Sequence, residues 1–372
     1  MKRGKRTRRK KKIVLPTELI IQILLRLPVK SLLRFKCVSK SWYSLISDSH
    51  FAKSHFELVA TGTQRLLFIE PSIPVIRSID FNASLHDDSA SFALNLNFPH
   101  PTRIIGSCRG LVLLDCWQSL LVWNPSTGFH KQLSHSPIAS DMDAFFFTFL
   151  YGFGYDSSTD DYLVVQVSYN PTLDVASRVE FFSLRANAWK EIEDIHLSYM
   201  NSGDDERFGS LLNDAIHWLA FRDDVSMNVI VAFDLMERSF SEIPLPAVDL
   251  ECEFYFCELK VLGESLSLCI AGCDSPAEIW VMEEYKVQSS WTKTIVVPVD
   301  AIPSQYFSFI CSTKCGDIVG TDGNTGLVKC NDEGQLEEYQ TYCDGSHRSL
   351  MVVYTETLLS LPCGDEQVKE DD

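Results

Sequence analysis

A recurring hairpin restricts the fold of this chain more than any other feature. Val122-Trp123-Asn124-Pro125-Ser126-Thr127-Gly128-Phe129-His130-Lys131-Gln132-Leu133 reads as a strand, a polar turn and a second strand with an aromatic and a final aliphatic residue. Phe181 to Ile192 and Ala232 to Ile243 have the same form, and Ile279 to Met282 followed by Ser290 to Ile295 has it with a longer turn. A fifth copy, Leu327 to Tyr339, is degenerate. The anchors Trp123, Phe182, Phe233 and Trp280 stand 59, 51 and 47 residues apart, close to the roughly 40 to 50 residues of one propeller blade. Ahead of each hairpin lies another pair of apolar runs: Gly106 to Leu114, Gly152 to Val167, Phe208 to Ala220 and Leu259 to Cys269. Two hairpins per period make a four-stranded blade. Strands near the two ends, Leu66 to Ile69 and Leu350 to Leu361, are placed to close the ring and so remove the edges that a linear array would leave open. The expectation is a mostly β chain, with a β-propeller-like domain of five or six blades over residues 57–361.

Before that body, Leu15 to Phe51 is too apolar to be left in water by itself. A helix opens after Leu15-Pro16, with Thr17 expected to cap the orphan amides and no breaker until Pro28. Leu19, Ile20, Ile21, Ile23, Leu24, Leu25 and Leu27 set apolar groups all round it, whereas an ordinary surface helix keeps a stripe about 100° wide. A second helix is expected over Val29 to Phe35, and a third over Lys40 to Ile46, capped by Ser39 and carrying Trp42 and Leu45. Three short helices make a core too small to stand alone without metal, disulfides or a partner. A partner is the expected supplement; the bland alternative is a helical cap on the following domain.

These residues resemble the F-box, the adaptor-docking module of Skp–cullin–F-box ubiquitin ligases. The matching positions are Leu15-Pro16, Glu18-Leu19, Ile23-Leu24, Leu27-Pro28, Ser31-Leu32, Arg34-Phe35, Val38, Lys40, Trp42, Leu45-Ile46 and Phe51, with Gln22 where the family often has Glu. The resemblance implies an F-box over residues 13–56 that binds a Skp-family adaptor and, through it, a cullin. The residues it assigns to that interface or its support are Leu15, Pro16, Leu19, Ile23, Leu24, Leu27, Pro28, Val29, Leu32, Val38 and Trp42. The body resembles the plant F-box-associated interaction domain, a kelch-like family, in Gly106 to Val112, Val122 to Thr127, Gly152 to Asp156, Asp160 to Val165, Leu212 to Leu219, Val231 to Leu235, Glu242 to Pro246 and Glu278 to Met282. The kelch double glycine is absent. Together these imply a substrate receptor that makes and breaks no bond itself, with the propeller holding a target protein. A propeller scaffold that recruits nothing for degradation is the rival, and a metal-dependent propeller oxidase is a third reading without an obvious ligand set.

Charge narrows the partners further. Met1 to Lys12 carry nine Lys or Arg, and removing those from the formal net charge of −17 leaves −26 on the rest, a polarity that repels nucleic acid from the main body. The basic arm, residues 1–12, reads equally as a nuclear-localisation signal or as a solvated tail; no aromatic residues interleave its charges, so no specific nucleic-acid binding is expected. Residues 362–372 read as an acidic disordered tail. No apolar run approaches the ~18 residues of a membrane span, and no h-region follows the basic start before Pro16. The expected location is cytoplasmic, nuclear or both. The twelve cysteines are expected as reduced thiols. Cys269 and Cys273, like Cys311 and Cys315, lack zinc-ligand spacing, and neither a cofactor nor a metal is expected.

Motifs for catalysis are missing: no nucleophile elbow, phosphate loop, dinucleotide glycine pattern or paired-histidine zinc motif occurs. Asp156, Asp160 and Asp161 suggest a metal cluster, but Tyr155 to Asp161 reads better as a hydrophilic hairpin turn. His217 lies in an alternating strand, where a hydrogen-bonded core role is expected. Two aromatic runs, Ala144 to Tyr151 and Glu251 to Phe256, stand out as loops that contact the target. Their candidate residues are Phe145, Phe147, Phe149, Phe254, Tyr255 and Phe256, with core strands as the plainer reading of such clusters. The acidic residues beside them favour a basic target segment.

Overall fold

The computed structural model describes residues 15–70, 75–94, 101, 103–116, 119–137, 148–170, 175–192, 199–201, 208–222, 225–247, 255–272, 275–342 and 349–361. The basic arm and the acidic tail lie outside them.

Four helices form the head, one more than the sequence reading allows. Helix α1 (Thr17–Leu24) starts at Pro16, whose carbonyl accepts the Leu19 and Ile20 amides at 3.1 and 3.2 Å. Thr17 is its first helical residue and caps nothing with its side chain, against expectation, because Pro16 already supplies the extended N-cap backbone. Helix α2 (Val29–Phe35) follows Pro28, which ends the preceding turn because a residue before proline is driven out of helical backbone. Helix α3 (Lys40–Ile46) is capped as expected, the Ser39 hydroxyl accepting the Trp42 amide at 3.2 Å. Helix α4 (Ser49–Val59) is the unexpected one. Asp48 caps it through the Phe51 amide at 2.9 Å, and Phe51, Ala52 and His55 form its buried face. The expected head boundary at residue 56 falls inside this helix, which brings the chain directly to the first strand.

Six antiparallel sheets follow. The first holds β1 (Gln64–Glu70), β2 (Val75–Ile79) and β3 (Ser91–Ala93). The second is β4 (Arg103–Cys108), β5 (Leu111–Asp115), β6 (Leu120–Trp123) and β7 (His130–Leu133), and the third is β8 (Thr148–Asp156), β9 (Asp161–Asn170), β10 (Val175–Ser183) and β11 (Ala188–Ile192). In the fourth, β12 (Tyr199–Asn201) and β13 (Ser210–Leu212) share one edge of β14 (Ala215–Arg222), beside β15 (Met227–Asp234) and β16 (Phe240–Ile243). The fifth is β17 (Tyr255–Leu262), β18 (Ser265–Gly272), β19 (Ala277–Met282) and β20 (Trp291–Val297); the sixth is β21 (Ser308–Ser312), β22 (Ile318–Thr321), β23 (Gly326–Cys330) and β24 (Leu336–Thr341). Strand β25 (Leu350–Thr355) then returns to the first sheet and pairs with β1, from Gln64 opposite Thr355 to Ile69 opposite Leu350. The result is a six-bladed propeller whose first blade is completed by a strand from the other end of the chain.

Each predicted hairpin anchor sits in the third strand of its blade. Trp123, Phe182 and Phe233 are buried, while Trp280 is half-buried and carries Lys293 over its ring at 5.7 Å. Apolar clusters fill the seams between blades: Leu113 and Val122 of the second meet Phe153, Val164 and Phe182 of the third. Gly152 permits one such seam, because a Cβ there would stand 2.6 Å from Ile216 Cγ2.

Candidate functional site

Two faces of the molecule carry the candidate residues. On the head, Leu19 and Ile23 are 51 % and 52 % exposed and stand four residues apart on one side of α1, with Leu15 exposed just ahead of it. Val38 and Tyr43 are more exposed still, at 61 % and 58 %. Six of the twelve exposed large hydrophobic side chains among the described residues belong to this small head, Leu58 being the sixth.

The eleven residues expected at an adaptor interface divide in two. Leu15, Pro16, Leu19, Ile23, Pro28 and Val38 are exposed, and Leu27 and Trp42 are half-buried. Leu24, Val29 and Leu32 are buried and hold the helices together with Ile46, Phe51 and Ala52. Tyr43 and Leu58 belong to the exposed set and were not read from sequence, since an apolar residue beside a polar helix face gives no signal without the fold. Of the cations of the head, Lys30 is turned to the propeller, its Nζ 4.8 Å from the centroid of the Phe92 ring in β3, and Arg26 donates back to Gln22 at 2.7 and 2.8 Å.

The head is bonded to one end of the propeller. Lys53 of α4 reaches Asp160 in the turn between β8 and β9 at 2.8 Å. Arg109, in the turn between β4 and β5, lies between two rings, 5.1 Å from the centroid of Phe56 in α4 and 4.0 Å from that of Tyr155 in β8. Its φ of 50° and the 81° of Gly110 give the doubly left-handed turn that suits a two-residue hairpin. Lys314, in the turn between β21 and β22, donates to the Gly62 carbonyl at 3.2 Å. Turns between first and second strands therefore face the head.

The Asp156 to Asp161 segment is a structural turn. Asp156 accepts from the Ser158 amide at 2.9 Å, from the Ser158 and Thr159 hydroxyls at 2.6 and 2.8 Å, and from Arg238 at 2.6 Å. Burial opposes its ionisation, yet the bonds from Ser158, Arg238 and Thr159 hold the carboxyl down at about 2. Asp160 takes Lys53, Arg185 and the Tyr155 hydroxyl, and Asp161 takes the Ser183 hydroxyl and the Arg185 amide. Each of the three carboxylates is engaged by amides, hydroxyls or cations of the surrounding chain, and among the described residues no group of three or more His, Cys, Asp or Glu is arranged to hold a metal ion. His217 is likewise a core residue: Nδ1–H donates to the Ser210 carbonyl at 3.2 Å and Nε2 accepts from the Tyr285 hydroxyl at 2.7 Å. Burial lowers its pKa to about 4, so the ring is neutral.

The opposite end of the ring holds the starts of the innermost strands. Phe149 lies there in β8, opposite Ser168, half-buried with its ring 5.9 Å from that of Tyr151. Tyr255 and Phe256 open β17, paired with Gly272 and Ala271. All three are strand residues, the plainer of the two expectations for these aromatic runs, and not residues of free loops. Phe145, Phe147 and Phe254 lie outside the described residues. Along the ring axis is a cavity of about 520 Å³, lined by the inner strands with Arg103, Ser210, Glu258, Lys260 and Ser308 among its polar groups. Glu258 accepts from the Ser308 hydroxyl and, at 3.3 Å, from the Tyr306 hydroxyl.

Comparison with known proteins fits this architecture. Residues 14–54 match the F-box domain, and residues 64–360 match the F-box associated beta propeller domain. An F-box/kelch-repeat protein of Arabidopsis thaliana is 32 % identical over 299 residues, spanning 76 % of this chain and 79 % of that protein. The F-box protein CPR1 of the same plant is 30 % identical over 315 residues, covering 76 % and 73 % of the two chains. Among solved structures, a mutant of AofleA from Arthrobotrys oligospora aligns with a TM-score of 0.44 and 11 % identity over 79 % of this chain and 87 % of that one. The apolar head and the six-bladed ring that closes beneath it place this chain in the family of F-box proteins with an F-box-associated β-propeller domain.

Proposed function

We propose that this chain is the substrate-recognition subunit of an SCF-type ubiquitin ligase. The head binds a Skp-family adaptor, and through it a cullin, with Leu15, Leu19, Ile23, Val38 and Tyr43 as the contact and Leu24, Val29 and Leu32 as its support. The observation that carries this reading is the head's exposed apolar side chains, which nothing in the chain covers among the described residues, beside a buried set that packs within the head and on Leu358 and Leu359.

The far face of the propeller holds the target. In the sequence, three of the stretches between blades, 134–147, 193–209 and 244–254, contain ten Asp or Glu and one Arg with no Lys, a charge that favours a basic target segment. The chain itself makes and breaks no bond; holding adaptor and target on one rigid body turns a bimolecular transfer into a reaction at high effective concentration. Co-purification with a Skp-family adaptor and cullin tests the head, by comparing the intact chain with a Leu19→Ala, Ile23→Ala variant. Proteasome inhibition tests the fate of the target: proteins bound to a receptor accumulate, whereas those bound to a scaffold do not.

A further inference from the structure

The six residues after β25, Glu356 to Leu361, run under the ring and into the head. The Glu356 amide donates to the Thr63 carbonyl at 3.0 Å, which ties the segment to the residue that joins head to blade. The Thr357 amide donates to the Ser126 hydroxyl at 3.1 Å. Asn124 then grips the segment: its Nδ2 donates to the carbonyls of Thr357 and Leu359 at 3.3 and 2.9 Å, while its Oδ1 accepts the amides of Ser126 and Thr127 at 2.9 and 3.2 Å. Every hydrogen-bonding group of that fully buried side chain is engaged, which gives Asn124 and Ser126 a role special to this copy of the hairpin. Gly110 leaves room for the passage, since a Cβ there would stand 2.3 Å from the Thr355 carbonyl oxygen.

Between those clamps, Leu358 and Leu359 are buried in the same cluster as Leu24, Val29, Leu32, Ile46 and Phe51. Leu361 ends the segment among Ile105, Leu111 and Phe153 of the ring. A head of four short helices has too little core to fold firmly by itself, and two of its buried leucines come from more than 290 residues later in the chain.

We propose that Leu358 and Leu359 are positioning residues for adaptor capture: the strap Glu356 to Leu361 completes the F-box core, so the adaptor-binding face is ordered only when β25 has closed the ring. This rests on the receptor reading for its biological use. The coupling of ring closure to head order is a property of the chain whether or not an adaptor binds. A receptor with an unfinished ring then presents no firm docking face, and defective receptors stay out of the ligase.

The test uses the full chain carrying Leu358→Ser and Leu359→Ser, with a chain ending after Leu361 as the control. Hydrogen exchange of amides in α1, α2 and α3 should quicken about tenfold or more in the double variant while β14 and β18 stay protected, the pattern of a local rather than a global opening. Affinity for purified Skp-family adaptor should fall by a similar factor, and the control should match the intact chain in both readouts. Equal exchange in the head of variant and intact chain overturns the proposal. If β14 and β18 lose protection as well, Leu358→Ala alone decides the question by the same two regions. An intact chain that binds no adaptor sinks the receptor reading, and the exchange result still stands or falls separately.

Discussion

Truncating Leu19 and Ile23 together should weaken adaptor binding without weakening the fold. Each is already about half covered by the chain, so a partner removes only the remaining half of a side chain whose full burial contributes roughly 1.5–3 kcal/mol. That gives on the order of 1 kcal/mol for each residue and about 2 kcal/mol for the pair. At 1.4 kcal/mol per tenfold change, the dissociation constant should rise about 30-fold. The cost to folding should be small, because neither residue belongs to the buried set and alanine favours a helix slightly more than leucine or isoleucine. Leu24→Ala is the contrast: fully inside the head, it should cost roughly 2–5 kcal/mol of stability, with binding lost as a consequence. Calorimetric titration with purified adaptor, paired with denaturant unfolding of each variant, separates the two effects. A double variant that binds within threefold of the intact chain, or whose lost affinity tracks lost stability, would refute the assignment of this face.

Four more expectations follow from the same geometry. Asn124→Ala should destabilise the chain by about 2–4 kcal/mol in urea, since it leaves two strap carbonyls and two turn amides without their partner. His217 is held neutral by burial with its pKa lowered from 6.5 to about 4, so the unfolded chain binds the extra proton. The His217 contribution to stability should therefore drop by about 3 kcal/mol as pH falls from 6.5 to 4; in His217→Gln the slope of pH-dependent unfolding over that range should be smaller by this amount than in the intact chain. Arg109→Ala should loosen the joint between head and ring more than Lys53→Ala, because a cation between two rings contributes about 1–2 kcal/mol and an exposed ion pair well under 1; thermal unfolding of the two variants ranks them. A fluorescent fusion lacking Met1 to Lys12 should leave the nucleus if the basic arm is a localisation signal, and an unchanged distribution ends that idea.

Local pattern made most of the architecture legible before any coordinates. The third-strand anchors Trp123, Phe182 and Phe233, with the fourth-strand aromatics Trp189 and Phe240, recur because every blade must bury the same seam. Proline and serine marked α2 and α3 to the residue, since those punctuators act on their immediate neighbours. Helix α4 was legible and not predicted: Asp48 stands as its cap, and Phe51, Ala52, His55 and Phe56 follow at the i, i+1, i+4, i+5 spacing of one helix face. The division of the eleven head residues into exposed and buried was not readable either, because apolar residues surround α1 and only packing decides which of them face inward. The strap was invisible for a different reason: Asn124 and Thr357 are 233 positions apart, and no local signal links them.

The pairing of β25 with β1 also sets a clock. Synthesis releases the head first and the closing strand last, with about 290 residues between them. At 5–20 residues per second the head waits roughly 15 to 60 s before its final leucines emerge from the ribosome. Throughout that interval Leu19, Ile23 and the unfilled interior around Leu24 and Leu32 are open to solvent on a nascent chain. Ring closure joins residues more than three quarters of the chain apart, and loop-closure entropy makes such pairing slow. The length of the propeller is thus also the length of time for which the cell must shield this head.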